Sequence, residues 1–148
     1  MKKTVLLITL TIFLVWIEQP VWAGEPATAG SPVATPPASG NGTEANPYQI
    51  ATLENLYWIA VNSSVWNKYF IQTENIDASV TSEWSTGWLP IGNENIYFSG
   101  NYNGNSKKIS GLRITTAPSR AFGLFGAVDE ATILNLGVTD VDIDVTTE

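Results

Sequence analysis

Asp140, Asp142 and Asp144 alternate with Val141, Ile143 and Val145, and three carboxylates so close in sequence raise calcium first. Calcium takes oxygen ligands at about 2.4 Å. Residues i and i+2 of one strand leave the same face about 6.8 Å apart. Three carboxylates on a straight strand therefore do not converge on one ion, although two can with help from a neighbouring turn. A solvated face that discourages edge pairing is the plainer account. Glu74, Asp77 and Glu83 are candidates for a hydrolytic pair, which needs carboxyl groups about 5 to 9.5 Å apart; nothing in their spacing pairs them. Lyase chemistry needs a base and a charge stabiliser, for which Lys107, Lys108 and Arg113 are the nearby cations. Lys107 and Lys108 sit beside a turn, where solvation is the ordinary explanation. Trp66, Trp84, Trp88 and Tyr102 could stack on sugars or cover a small core. Trp84, Trp88 and Tyr102 are kept as candidate ligand-stacking aromatics.

Other chemistries are excluded by residue type. The chain has no His and no Cys, so Ser-His-Asp and Cys-His nucleophile systems are impossible within it, as are ordinary zinc sites. Gly123-Leu124-Phe125-Gly126 is not a phosphate loop, because no Lys-Ser/Thr pair follows. Its glycines suit tight corners where a Cβ would clash. No cofactor is expected, with calcium the one candidate ion.

The elements that must position these residues begin after a leader. Lys2 and Lys3 precede an apolar stretch from Val5 to Ile17, and Val21-Trp22-Ala23 offers a small-x-small cleavage site. Residues 1–23 are therefore read as a signal peptide, too short for a comfortable membrane span of about 20 apolar residues. Export follows, with secretion or surface display and no stable membrane insertion after cleavage. The whole chain carries 14 acidic and 7 basic side chains; without Lys2, Lys3 and Glu18 these become 13 and 5, a net charge of −8. No basic patch exists to neutralise phosphates, so nucleic acid is not an expected partner. With no Cys, an exported chain must rely on packing and backbone pairing.

Residues 24–42 hold Pro26, Pro32, Pro36 and Pro37 among Ala, Ser, Thr and Gly, and are expected to be a flexible linker. Order is expected over 43–148. Thr52 can cap a short helix with Leu53, Leu56, Tyr57 and Ala60 on one face, ended by Asn62-Ser63-Ser64. Strand character follows in Tyr69-Phe70-Ile71 and Asn75-Ile76-Asp77. Pro90 places Glu83 to Gly92 at an edge or corner. Gly100, Asn101, Asn103 and Gly104 predict a turn between two strands, and 107–116 a strand pair bent at Gly111.

Ile109-x-x-Leu112-x-Ile114 returns as Ile133-x-x-Leu136-x-Val138, and Phe98 as Phe122, each 24 positions later. A fixed short period predicts a β-solenoid, an all-β fold whose first turn the short N-terminal helix would cap. A leucine-rich repeat needs Asn or Cys where this chain has Ala117 and Val141, which disfavours it. The domain is expected to be incomplete at its C-terminus and to self-associate through an exposed C-terminal edge.

An ordered series of short motifs also resembles a known family. Gly42-Thr43-Glu44-Ala45-Asn46-Pro47-Tyr48-Gln49-Ile50 precedes Leu53 and Leu56, followed by Asn75-Ile76-Asp77, Trp88-Leu89-Pro90-Ile91-Gly92 and Phe98-Ser99-Gly100. Asn103-Gly104, Ile109, Leu112 and Ile114 come next, then Gly123-Leu124-Phe125-Gly126 and Ala131-Thr132-Ile133-Leu134-Asn135-Leu136-Gly137-Val138. Over about residues 40–145 the chain resembles bacterial surface proteins with the GLUG motif. The resemblance implies a right-handed parallel β-helix, an adhesin-like role and no catalytic residues. Host surface, matrix or polysaccharide are the implied partners. A polysaccharide-acting lyase or hydrolase is the competing function, and an inactive fragment a third.

Overall fold

The computed structural model describes residue 30 and residues 33–115 and 122–144. The leader 1–23, Val145 and the C-terminal tail lie outside the described residues.

Seven strands are found among them: β1 (Tyr48–Ile50), β2 (Tyr69–Gln72), β3 (Ile76–Asp77), β4 (Asn101–Ser110), β5 (Arg113–Ile114), β6 (Thr132–Thr139) and β7 (Asp142–Ile143). Every pair of these strands is parallel. β1 joins β2, β2 joins the first half of β4, and β3 joins its second half. β6 runs along the whole of β4, and β5 pairs with β7 in a separate two-stranded sheet. Parallel neighbours cannot be joined by a hairpin, so each connection must cross back over the core. One of these connections is helical.

That helix, α1 (Leu53–Val61), begins where the side chain of Thr52 accepts a hydrogen bond from the N–H of Asn55 at 3.3 Å. The cap satisfies one of the orphan donors of the first turn, and Glu54 there suits the positive end of the helix dipole. Leu53, Leu56, Ile59 and Ala60 are buried. Asn55 is buried too, its amide donating to the carbonyl of Thr35 at 3.1 Å. The indole of Trp66 donates to the carbonyl of Ile59 at 2.6 Å, holding the segment after the helix.

The core lies under one face of the strands. In β2, Phe70 and Gln72 are buried while Tyr69 and Ile71 are half-buried; in β4, Tyr102 is buried between half-buried Asn101 and Asn103. This is the period of two that sends successive side chains to opposite faces. Phe70, Phe98, Tyr102 and Phe125 form a continuous aromatic cluster with ring centroids 5.0 to 6.4 Å apart.

The expected right-handed parallel β-helix with a capping helix is corrected. The strands form a parallel five-stranded sheet and a two-stranded one, neither closed, accompanied by α1 and two short 3-10 helices at Ser63–Val65 and Ser79–Glu83. The 24-residue recurrence does not describe the pairing. Ile109 lies beside Val138 and Ile114 beside Ile143, whose positions differ by 29. Phe98 bridges to Val128, whereas Phe122 is exposed. The fixed spacing of apolar letters therefore does not mark which strands lie side by side.

Two smaller expectations also shift. The expected turn is not there: Gly104 lies inside β4 and Gly100 immediately precedes it, at a bend. They are small because neighbours press on them: a Cβ on Gly100 would stand 2.3 Å from the carbonyl oxygen of Lys68. The left-handed backbone comes afterwards, at Asn105 and Ser106, opposite left-handed Asn135 in β6. Residues 33–42, expected within the flexible linker, are tied to the domain: Thr35 N–H donates to Glu54, Gln49 N–H to Ser39, and Asn41 N–H to Asn46.

Candidate functional site

The outward face of β2, β4 and β6 carries a groove of about 230 Å³. Alternation along three adjacent strands builds its wall. Tyr69 and Ile71 come from β2, Asn101 and Asn103 from β4, and Thr132 and Leu134 from β6. Register aligns them, with Tyr69 beside Asn101 beside Thr132 and Ile71 beside Asn103 beside Leu134. Glu44 and Pro47 close one side. Their position follows from a tight turn in which Asn46 N–H donates to Thr43 at 3.1 Å. Gly42 allows it with φ +77, where a Cβ would strike the Tyr48 ring at 2.4 Å.

The chemistry of this surface is neutral apart from one carboxylate, that of Glu44. Tyr69 offers an aromatic face, Ile71 and Leu134 apolar contact, and two amides and a hydroxyl supply hydrogen bonds. Asn103 is steadied by its neighbours: its Oδ1 accepts from Asn105 N–H at 2.9 Å and from the amide of Asn135 at 3.3 Å. Its own amide N–H groups stay available to a ligand.

The ligand-stacking aromatics named from the sequence are not in this groove as side chains. Trp88 and Tyr102 are fully buried and Trp84 is 7 % exposed. Trp84 and Trp88 lie against each other at 6.4 Å and against Tyr57 of α1 at 5.0 and 5.9 Å. They fold inward because Trp88 also spends its indole N–H on the carbonyl of Leu124, at 3.3 Å. Tyr102 and Phe70 form the underside of the groove's floor, their rings directed to the core. Burial raises the Tyr102 phenol well above its ordinary value.

Gly123-Leu124-Phe125-Gly126 is part of that core's cover. Gly123 has φ +141, Leu124 is buried, and Phe125 packs on Phe98 and Tyr102. The segment is pinned at both ends, Ile91 N–H donating to Leu124 and Gly126 N–H to Ile91.

The other sequence candidates lie apart from the groove. Asp77 is exposed and accepts Ser79 N–H at 2.9 Å, which holds its carboxyl below the ordinary 3.8. Glu74 and Glu83 do not line the groove. Arg113 forms ion pairs with Asp142 and with Asp144, so two of the three carboxylates weighed for calcium serve a cation of the chain itself. Asp140 sits on left-handed backbone before β7. Among the described residues no three Asp or Glu side chains gather as metal ligands. Sequence reasoning missed Tyr69, Asn101, Asn103 and Thr132; the signal was their outward alternation, invisible without the strand register.

Comparison with known proteins gives two partial matches. Over 103 residues, 65% of this chain, the sequence is 37% identical to halomucin of Haloquadratum walsbyi. Over 105 residues, 69% of the chain, it is 34% identical to a putative Gly-rich membrane protein of Evansella cellulosilytica. The chain spans 1% of the first relative's length and 12% of the second's. No protein-family model matches the chain, and no solved structure does. Among the described residues no helix is long and apolar enough to cross a membrane.

Proposed function

We propose that this chain is an exported, adhesin-like surface module that binds a neutral polysaccharide without cleaving it. The observation that carries the reading is the composition of the groove across β2, β4 and β6. Sugars are held by an aromatic or apolar surface against their C–H faces and by amides and hydroxyls against their hydroxyl groups. Tyr69, Ile71 and Leu134 supply the first, and Asn101, Asn103 and Thr132 the second. At about 230 Å³ the groove is smaller than the roughly 300–1,000 Å³ of a typical small-molecule pocket. It suits one unit of a longer polymer lying along the face. Glu44 alone among its lining residues bears a carboxylate, short of the two that glycoside hydrolysis uses.

Envelope placement is supported by the leader 1–23 and by the second relative's name, that of a membrane protein. The resemblance to GLUG-motif surface proteins agrees with it. A glycan array followed by calorimetry on the full chain tests the proposal. Neutral glycans should bind, and Tyr69→Ala and Asn103→Ala should each weaken binding about tenfold, a loss of about 1.4 kcal/mol. Failure of a folded chain to bind any neutral glycan overturns the reading. Release of reducing ends or unsaturated products replaces it with a polysaccharide-acting enzyme.

A further inference from the structure

Among the described residues, rows of apolar side chains cross the sheets and end without cover on one side. Phe70 and Tyr102 lead to Ile133 at the β6 edge, and Ile76 and Ile109 lead to Val138. Ile114 leads to Ile143 in β7, and Phe98 to Val128. The inner members are 0 to 3 % exposed, whereas Ile133 and Val138 are each 39 %, Val128 51 % and Ile143 54 %. β6 pairs only with β4 among the described strands, so its other edge has no strand partner among them. An eight-residue apolar edge of this kind is a pairing template.

We infer that the free edge of β6 is an interface between two copies of this chain, related by a two-fold axis. Three observations select a second copy in this arrangement. First, the opposite edge of the sheet is occupied: Ser39 accepts Gln49 N–H beside β1, and the Thr35 segment is tied to α1. Head-to-tail addition of a copy onto β1 is therefore obstructed, which favours edge to edge, an arrangement that closes after two. Second, β6 is self-complementary about its left-handed residue. An axis passing between Asn135 and Leu136 sets Ile133 of one copy antiparallel to Val138 of the other, and both are ends of core rows. Leu134 then faces Gly137, where the missing side chain leaves room. Third, the contact continues the apolar interface already made by β4 and β6, with the same rows extended into the second copy.

Asp129, Glu130 and Asp140 are exposed near this edge and meet their own kind across the axis. Their repulsion opposes the pairing and is screened by salt. Dimerisation is thus expected to tighten as salt rises, opposite to an interface made of ion pairs.

Sedimentation equilibrium on the full chain tests the inference. A reversible monomer–dimer equilibrium is expected, populated at about 100 µM if Kd is about 10 µM. Ile133→Lys and Val138→Glu should each shift the chain to monomer. The double variant should recover the dimer, because the axis brings the two new charges face to face. Both positions are partly exposed, and urea midpoints check that each variant is folded. A monomer at all concentrations overturns the inference, as do open-ended assemblies. A folded double variant that stays monomeric overturns it as well. If neither single variant folds, the wild-type concentration series still decides.

Discussion

The phenol of Tyr102 donates a hydrogen bond to Oε1 of Gln72 across 3.2 Å, with both side chains fully buried. Gln72 spends its amide on the carbonyls of Glu74 and Lys108, at 2.8 and 3.2 Å. One side chain therefore holds together the end of β2, the approach to β3 and the second half of β4. Such a bond contributes only about 1 kcal/mol net, but an acceptor left alone in the core costs about 1–3 kcal/mol. Tyr102→Phe should lower unfolding free energy by that amount while keeping the ring contact with Phe70, measured by urea denaturation.

The same phenol predicts an alkaline limit. Its folded value is raised above the ordinary 10.0 by burial. Above pH 10 the unfolded chain gives up this proton while the folded chain keeps it, so the unfolded state binds fewer protons and stability falls with pH. The contribution is complete below pH 10 and is lost progressively above it. Tyr102→Phe should flatten the pH dependence of the urea midpoint between about pH 10 and 11; an unchanged slope would count against a buried phenol.

Gly100 and Gly137 make a matched pair. A Cβ at Gly100 meets backbone oxygens of Lys68 and Trp66 at 2.3 and 2.9 Å, which cannot retreat without moving a strand. At Gly137 the nearest atom is the Lys108 Cβ at 3.4 Å. Gly100→Ala should cost more than about 2 kcal/mol, and Gly137→Ala should stay within about 0.5 kcal/mol. Thermal melts of the two variants check the contrast.

Thr52→Ala should cost about 1 kcal/mol through loss of the helix cap. Loss of far-UV helical signal in proportion to that destabilisation is the expected readout.

Arg113→Gln should matter little. Its partners Asp142 and Asp144 have side chains 59% and 64% exposed, where water screens most of the attraction. A change below about 0.5 kcal/mol, shrinking further in high salt, is the expected result of denaturation in two buffers.

Local chemistry was legible in the sequence where short-range rules decide. Thr52 caps the helix, Tyr69-Phe70-Ile71 opens a strand, Ile76 and Asp77 form another, and the chain bends at Gly111 with φ +74. Long-range register was not legible. Tyr102 lies beside Ile133 and Phe98 bridges to Val128, 31 and 30 positions on, where the recurrence of apolar letters pointed to 24. The groove depends on that register, since Tyr69, Asn101 and Thr132 come from three strands. For Trp84 and Trp88 the residue types left both sugar stacking and core cover open. Ring contacts with Tyr57, distant in sequence, draw both indoles inward.

Paired positions lie at unequal intervals along the chain. Tyr48 and Phe70 are neighbours in the sheet 22 positions apart, as are Phe70 and Tyr102 32 positions apart, so the connecting segments differ in length and content. The strands keep their alignment through short contacts such as Trp88 N–H to Arg113 and Ile91 N–H to Leu124, which do not depend on how long a loop is. Insertions within those loops can therefore accumulate by drift and be sampled by selection while the strand ladder stays unaltered. The loops of such a frame can diverge quickly, and the frame need not change with them.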